Sequence, residues 1–398
     1  MPFTDEQVML TLAGLSYRGF ADFDSGEPHA PVVCREVLDG LRTLAPVRAD
    51  WELVWGPVTD RGPRAVFDSS AMYVARHATD RHRHAVVVRG TNPVSVVDWL
   101  VGDLWVRSTV PWPYAPPADG VAVSASTAIG LRTLQRMRSA GVPTPAPPRA
   151  GLGATIAAGL AAGILRLEDV ARRFTAPPAV NIDALHQSQG EPPVAGIDLR
   201  PTLPAQIDRN APLDLLGVLR VAAESAERPL EVVVTGHSKG GALAPALALW
   251  LAEAARSGVP AERWDVRGNA RVSCHAFAGP TPGNGAFAAR IESVLGSNHR
   301  HLRNMNDIVT HAWQDDELRQ IPGLYGSRSG PFAPLITAIA DGVRQIGYRQ
   351  VTTGVRRFPG KLVTARPFGL EFVHQHMDAY LEELHLVEQG IRAATFFV

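Results

Sequence analysis

The stretch "LEVVVTGHSKGGALAPALALWLAE", Leu230 to Glu253, constrains the architecture of this 398-residue chain more than any other. Val232, Val233, Val234 and Thr235 are β-branched and form a run too short for a helix, so they read as a fully buried strand. From Ala242 to Ala255 the sequence is rich in alanine and leucine, strong helix formers. Gly236-His237-Ser238-Lys239-Gly240 must therefore turn the chain sharply from strand to helix. Gly-x-Ser-x-Gly in that setting is a nucleophile elbow, a strained turn that lifts a serine hydroxyl clear of a sheet while small neighbours avoid collisions.

The same strand, polar turn, helix rhythm occurs elsewhere. Val86–Val88 form a buried strand that breaks at Gly90, and Val94 to Leu104 start a helix; residues 271–296 repeat the pattern through a Pro/Gly turn. Strands are expected at 51–56, 71–78, 299–304 and 347–358. Helices are expected at 5–18, 31–44, 333–344 and from about 377 to 389. Such alternation implies an α/β fold with a mostly parallel central sheet flanked by helices. The expected organisation is one domain over 1–398, interrupted at 140–212 by a Pro/Ala/Gly-rich insertion. Within it, residues 151–165 carry no charge but are shorter than the ~20 residues a membrane-spanning helix needs. They read either as a helix packed under a surface excursion or as an apolar cap or lid that makes transient contact with a lipid interface.

Acidic and basic residues balance at 39 each, which gives no broad field to draw in nucleic acid. Cys34 and Cys274, the two cysteines, supply neither a disulfide framework nor a thiolate metal site, so a core role is expected for both. The amino end has no basic leader followed by an apolar run, and the expected location is cytoplasmic, with leaderless export left open. The basic residues are nearly all arginine, a bias that fits a GC-rich bacterial genome.

A serine hydroxyl needs a base within hydrogen-bond reach and a third group to orient that base. In an α/β-hydrolase the acid and then the histidine follow the serine. Asp307 lies just past the expected strand "HRHLRNM", at the carboxyl end where sheet enzymes place their sites, whereas Asp315 and Asp316 belong to the polar run "QDDELRQ". Among the later histidines, His311 is too close to the acid, and His385 falls inside the expected last helix. His374 and His376 would point the same way on an extended segment, and spacing does not separate them. "HQHMD" begins like a His-x-His-x-Asp-His metal site, but Ala379 follows and the remaining chain has no room for further ligands, so no metal is expected. His237 reads as structural. The backbone N–H of Lys239 would be one oxyanion donor, and the "RGTN" loop, with Gly90 and Thr91, would offer a second.

Together these blocks resemble the class 3, fungal-lipase-like branch of the α/β-hydrolases. "VVVRGTNPVSVVDWLVGDL", "VVVTGHSKGGALA", "CHAFAGPTPGNGAFA", "RNMNDIVTHAW" and "HMDAYL" look like five of that family's motifs in the right order. The resemblance implies the α/β-hydrolase fold, with Ser238 as nucleophile, Asp307 as orienter and His376 as base, and Thr91 and Lys239 at the oxyanion positions. It further implies hydrolysis of carboxylic esters, lipid esters foremost, without metal or organic cofactor. A phospholipase A1 or acyltransferase activity on the same residues, or a lipase-like fold used as a binding module, are the alternatives. Three features depart from the family pattern: Lys239 replaces the usual leucine, Pro245 falls within the elbow helix, where a kink is expected, and the 140–212 insertion interrupts a region that is usually compact in relatives.

Overall fold

The computed structural model describes residues 2–19, 29–60, 70–90, 104–147, 194–330, 333–363 and 365–396. Thr91, the expected helix from Val94 except its final Leu104, and most of the 140–212 insertion, including 151–165, lie outside the described residues.

Nine described strands follow one another along the chain: β1 (Trp51–Asp60), β2 (Ser70–His77), β3 (Arg83–Val88), β4 (Thr109–Pro111), β5 (Ala122–Ser124), β6 (Glu231–His237), β7 (Arg271–Phe277), β8 (His299–Asn304) and β9 (Val355–Phe358). Seven form one sheet in the order β1-β2-β3-β6-β7-β8-β9, while β4 and β5 make a separate antiparallel pair. The β1–β2 and β2–β3 pairings are antiparallel and every pairing from β3 to β9 is parallel. This is a mostly parallel α/β-hydrolase sheet with helices on both faces.

Side chains alternate across the strands, so one strand feeds two cores. Val232 and Val234 enter a cluster with Leu243, Leu247 and Leu251 of α5 (Lys239–Ala255), backed by α3 (Ala125–Arg136), α4 (Leu215–Ser225) and α6 (Gly285–Leu295). Val233 faces the opposite way, toward Met9 and Leu12 of α1 (Asp5–Leu15) and Val33 and Val37 of α2 (His29–Thr43). A capping box starts α1: Thr4 accepts from the Gln7 N–H, and the Gln7 side chain accepts from the Thr4 N–H. Every residue of α5 except Lys239 is buried, as expected of a helix apolar all round, and α5 runs unbroken through Pro245. A third cluster joins Ile308, Val309 and Trp313 to Leu335, Ile336 and Ile339 of α7 (Ala333–Val343) and to Phe372. No described helix is long and apolar enough to cross a membrane. Both cysteines are buried and unpaired.

Two sequence expectations need correction. The strand expected at 347–358 is reduced to Val355–Phe358, because Gly347 (φ 69°) and Gly354 (φ 72°) take left-handed conformations that break an extended run. The last helix is displaced toward the amino end. It begins as α8 (Phe368–Val373), passes through a π-helical turn at His374–Asp378, and ends as α9 (Ala379–Glu383). His374 and His376 are thus helical rather than extended. His385 lies beyond the helix with φ 54°, and the chain doubles back there through a bond from Leu386 N–H to the Leu381 carbonyl, 2.8 Å.

Candidate active site

The parallel register brings the carboxyl ends of four strands to one edge: Val88 of β3 pairs with Gly236 of β6, His237 with Phe277 of β7, and Phe277 with Leu302 of β8. Ser238 follows at the top of β6 with φ 61° and ψ −128°, a left-handed φ uncommon for a residue bearing a Cβ. Its N–H donates to the Phe277 carbonyl at 3.0 Å, which anchors the strained residue to the next strand. The turn is so tight that a methyl group at Gly240 would collide with the Val88 carbonyl. A methyl at Gly90 would strike the Tyr17 hydroxyl and the His237 carbonyl and approach the Ser238 Cβ to 3.0 Å. Lys239 is the first residue of α5, so its backbone N–H lies at the positive end of a long helix. Its side chain lines a cleft of about 20 Å³ with Leu243, Thr281 and Trp313, room for a single water.

Asp307 sits three residues past β8, where its Oδ1 caps a short 3₁₀ turn by accepting from the Val309 N–H at 3.0 Å. Its Oδ2 accepts twice, from Nδ1 of His376 at 2.9 Å and from the Tyr380 hydroxyl at 2.8 Å. Because a carboxylate only accepts, His376 carries its hydrogen on Nδ1 and presents a lone pair on Nε2. Tyr380 itself accepts from the Asn304 N–H at 3.0 Å. Burial, followed by the neighbouring Asp307 charge, holds the Tyr380 phenol well above its ordinary pKa, so it stays a donor. The Phe372 ring stacks on the His376 imidazole with centroids 5.8 Å apart. Ser238 and His376 are each 2% exposed and Asp307 is 0% exposed. Neither Ser238 Oγ nor His376 Nε2, both buried, has a hydrogen-bond partner among the described residues.

The structure also separates the rival candidates. His376 meets the acid, whereas His374 turns toward Glu382, 3.8 Å away. His311 hydrogen-bonds the Met305 carbonyl at 3.0 Å. Asp315 pairs with Arg319 at 2.8 Å, and Asp316 accepts from the Gln314 side chain at 2.8 Å. Among the described residues no group of three or more His, Cys, Asp or Glu side chains is arranged to hold a metal ion.

Sequence reasoning missed Tyr380's bond to the acid and the full part played by Asn304. The Asn304 amide donates to the Gln375 carbonyl and side chain, both at 2.8 Å, and accepts from the Gly360 N–H at 2.8 Å and the Asn306 N–H at 3.0 Å. Asn304 and Tyr380 lie inside the quoted blocks "RNMNDIVTHAW" and "HMDAYL", and polar residues flanking the acid and base were the available signal. Tyr17, which bonds to His237, carried none.

The chain is similar to known lipases in one segment and in its fold. Residues 215–316 match the lipase (class 3) family model, a segment that contains Ser238 and Asp307. A curated relative, the lipase-like PAD4 of Arabidopsis thaliana, is 32% identical over 158 residues, 37% of this chain and 27% of the relative. The chain thus spans about a quarter of that relative's length. The crystal structure of M37 lipase superposes with a TM-score of 0.72 at 26% identity, covering 99% of this chain and 97% of that one. The elbow and the sheet order are those of the α/β-hydrolase fold, and the segment that carries Ser238 and Asp307 is similar to the class 3 lipases.

Proposed function

We propose that this protein is a serine hydrolase of carboxylic esters, with lipid esters as the natural class. One observation carries the reading: Asp307 binds Nδ1 of His376 at 2.9 Å, while Ser238 Oγ and His376 Nε2 are buried with no hydrogen-bond partner among the described residues, beside a strained elbow. In this mechanism His376 Nε2 takes the Ser238 proton as Oγ attacks the ester carbonyl. The resulting imidazolium is stabilised by Asp307. The tetrahedral oxyanion is met by the Lys239 N–H, with the loop at Thr91 as second donor. His376 then protonates the departing alcohol, and water, activated by the same base, releases the acid from the acyl-enzyme. Ser238→Ala should lower turnover of p-nitrophenyl esters by about 10⁴-fold or more with an unchanged circular dichroism spectrum. Retained turnover would refute the reading.

The name of the curated relative, lipase-like, favours a second reading, in which the fold serves as a binding module. A fluorophosphonate probe applied with and without detergent discriminates: labelling at Ser238 in either condition supports catalysis, and a folded protein unlabelled in both supports the module.

A further inference from the structure

The elbow histidine was expected to be structural, yet its surroundings tie it to the base. His237 Nε2 lies 2.8 Å from the backbone carbonyl of His376, and its Nδ1 lies 3.1 Å from the Tyr17 hydroxyl. The same hydroxyl is 3.2 Å from the His237 carbonyl oxygen. Tyr17 and His237 are 1% and 2% exposed. We propose that Tyr17 and His237 form a positioning strap that holds the backbone of His376, so that the base is fixed at both ends, by the strap at its carbonyl and by Asp307 at Nδ1. This inference rests on the reading of His376 as the base.

The hydrogen inventory dictates the tautomer. A peptide carbonyl only accepts, so His237 must carry its hydrogen on Nε2, and its Nδ1 is then a lone pair facing Tyr17. The Tyr17 hydrogen is directed at two acceptors, the ring nitrogen and the carbonyl of the same residue. Burial, and then the adjacent His376, hold the His237 imidazole well below its ordinary pKa. The two imidazoles are 4.7 Å apart between centroids, tilted by 49°, and the Tyr380 ring lies edge-on to His237 at 5.8 Å. A neutral ring at that distance does not oppose the positive charge that His376 acquires during attack.

The strap meets the chain within the π-helical turn at His374–Asp378. A π bulge displaces carbonyls from the regular α ladder, and here an external donor reaches the carbonyl of the residue that must be aimed. Tyr17 follows α1, and Gly90, which a methyl group would drive into the Tyr17 hydroxyl and the His237 carbonyl, ends the strand before the oxyanion loop. One hydroxyl from the amino-terminal segment thus touches both the elbow backbone and the ring that holds the base.

The test uses the full chain, with p-nitrophenyl ester kinetics and histidine ¹⁵N spectra. His237→Leu should lower kcat by about 10- to 100-fold with KM within about twofold, the signature of lost geometry at the reacting groups. His237→Gln, which keeps an N–H near the Nε2 position, should recover most of that loss, and Tyr17→Phe should fall between them. Equal kcat for His237→Leu and wild type, or equal losses for the leucine and glutamine variants, would overturn the strap. The wild-type spectra decide independently of turnover and of whether the variants fold. His237 should show the neutral Nε2–H tautomer from about pH 5 to 9, and an Nδ1–H tautomer or a protonation in that range would overturn the inference. If the wild type hydrolyses no ester, the functional reading fails while the spectra still decide the strap.

Discussion

A single oxygen, Asp307 Oδ2, accepts from both His376 and Tyr380, while Oδ1 accepts from a backbone N–H. The carboxylate therefore has little freedom to rotate, and the imidazole it orients inherits that rigidity. Tyr380→Phe should lower kcat by about 3- to 10-fold through a looser acid. It should also cost about 1–3 kcal/mol in urea unfolding, because the buried Asn304 N–H loses its acceptor. Ser238 and Asp307 were legible in the sequence because each is marked locally, one by a strand-turn-helix pattern and the other by its place after a strand. His376 was separated from His374 only by family resemblance, since a one-turn backbone irregularity decides which ring faces the acid. Tyr17 was illegible: its partner is 220 positions away, and a lone tyrosine after a helix carries no pattern.

At the scale of elements, α1 matters beyond its packing. Its capping box sets the helix start, its buried face from Met9 to Leu15 seats it on the sheet, and the turn that follows delivers Tyr17. Thr4→Ala removes the side-chain acceptor at the helix start and should cost about 0.5–2 kcal/mol, read as a shift in the denaturation midpoint. Most elements were legible because hydrophobic period and β-branched runs distinguish strand from helix over such lengths. The failures have local causes. Two left-handed glycines shortened the β9 expectation, and Pro367, positioned as the N-cap of α8, allowed the last helix to begin earlier than its apolar spacing suggested.

Among the described residues, several histidines are buried deeply enough that desolvation outweighs every nearby charge. Burial lowers His84 and His275 to about 4 and also pulls down His299, His301 and His237. The remaining influences on His84 are the His82 carbonyl, Arg76, His82 and Asp80; those on His275 are Arg300, Asp5, Arg83 and His299. The unfolded chain binds protons on His84 and His275 near pH 6.5, whereas the folded chain resists their protonation until about pH 4. Stability from these two histidines is therefore fully present above about pH 6.5 and declines as pH falls toward 4, at order 1–3 kcal/mol each. Urea unfolding at pH 7, 6 and 5 should show a steadily falling midpoint, with a shallower fall in His84→Phe.

The concealment of Ser238 and His376, each 2% exposed, has a kinetic consequence. A reagent in bulk solvent cannot reach a hydroxyl sealed in this way, so encounter depends on a prior opening of the molecule. Reactivity toward small electrophiles then reports the open fraction multiplied by the serine's own nucleophilicity, and that fraction is a quantity that a surface, a detergent or a bound partner can raise without altering one catalytic atom.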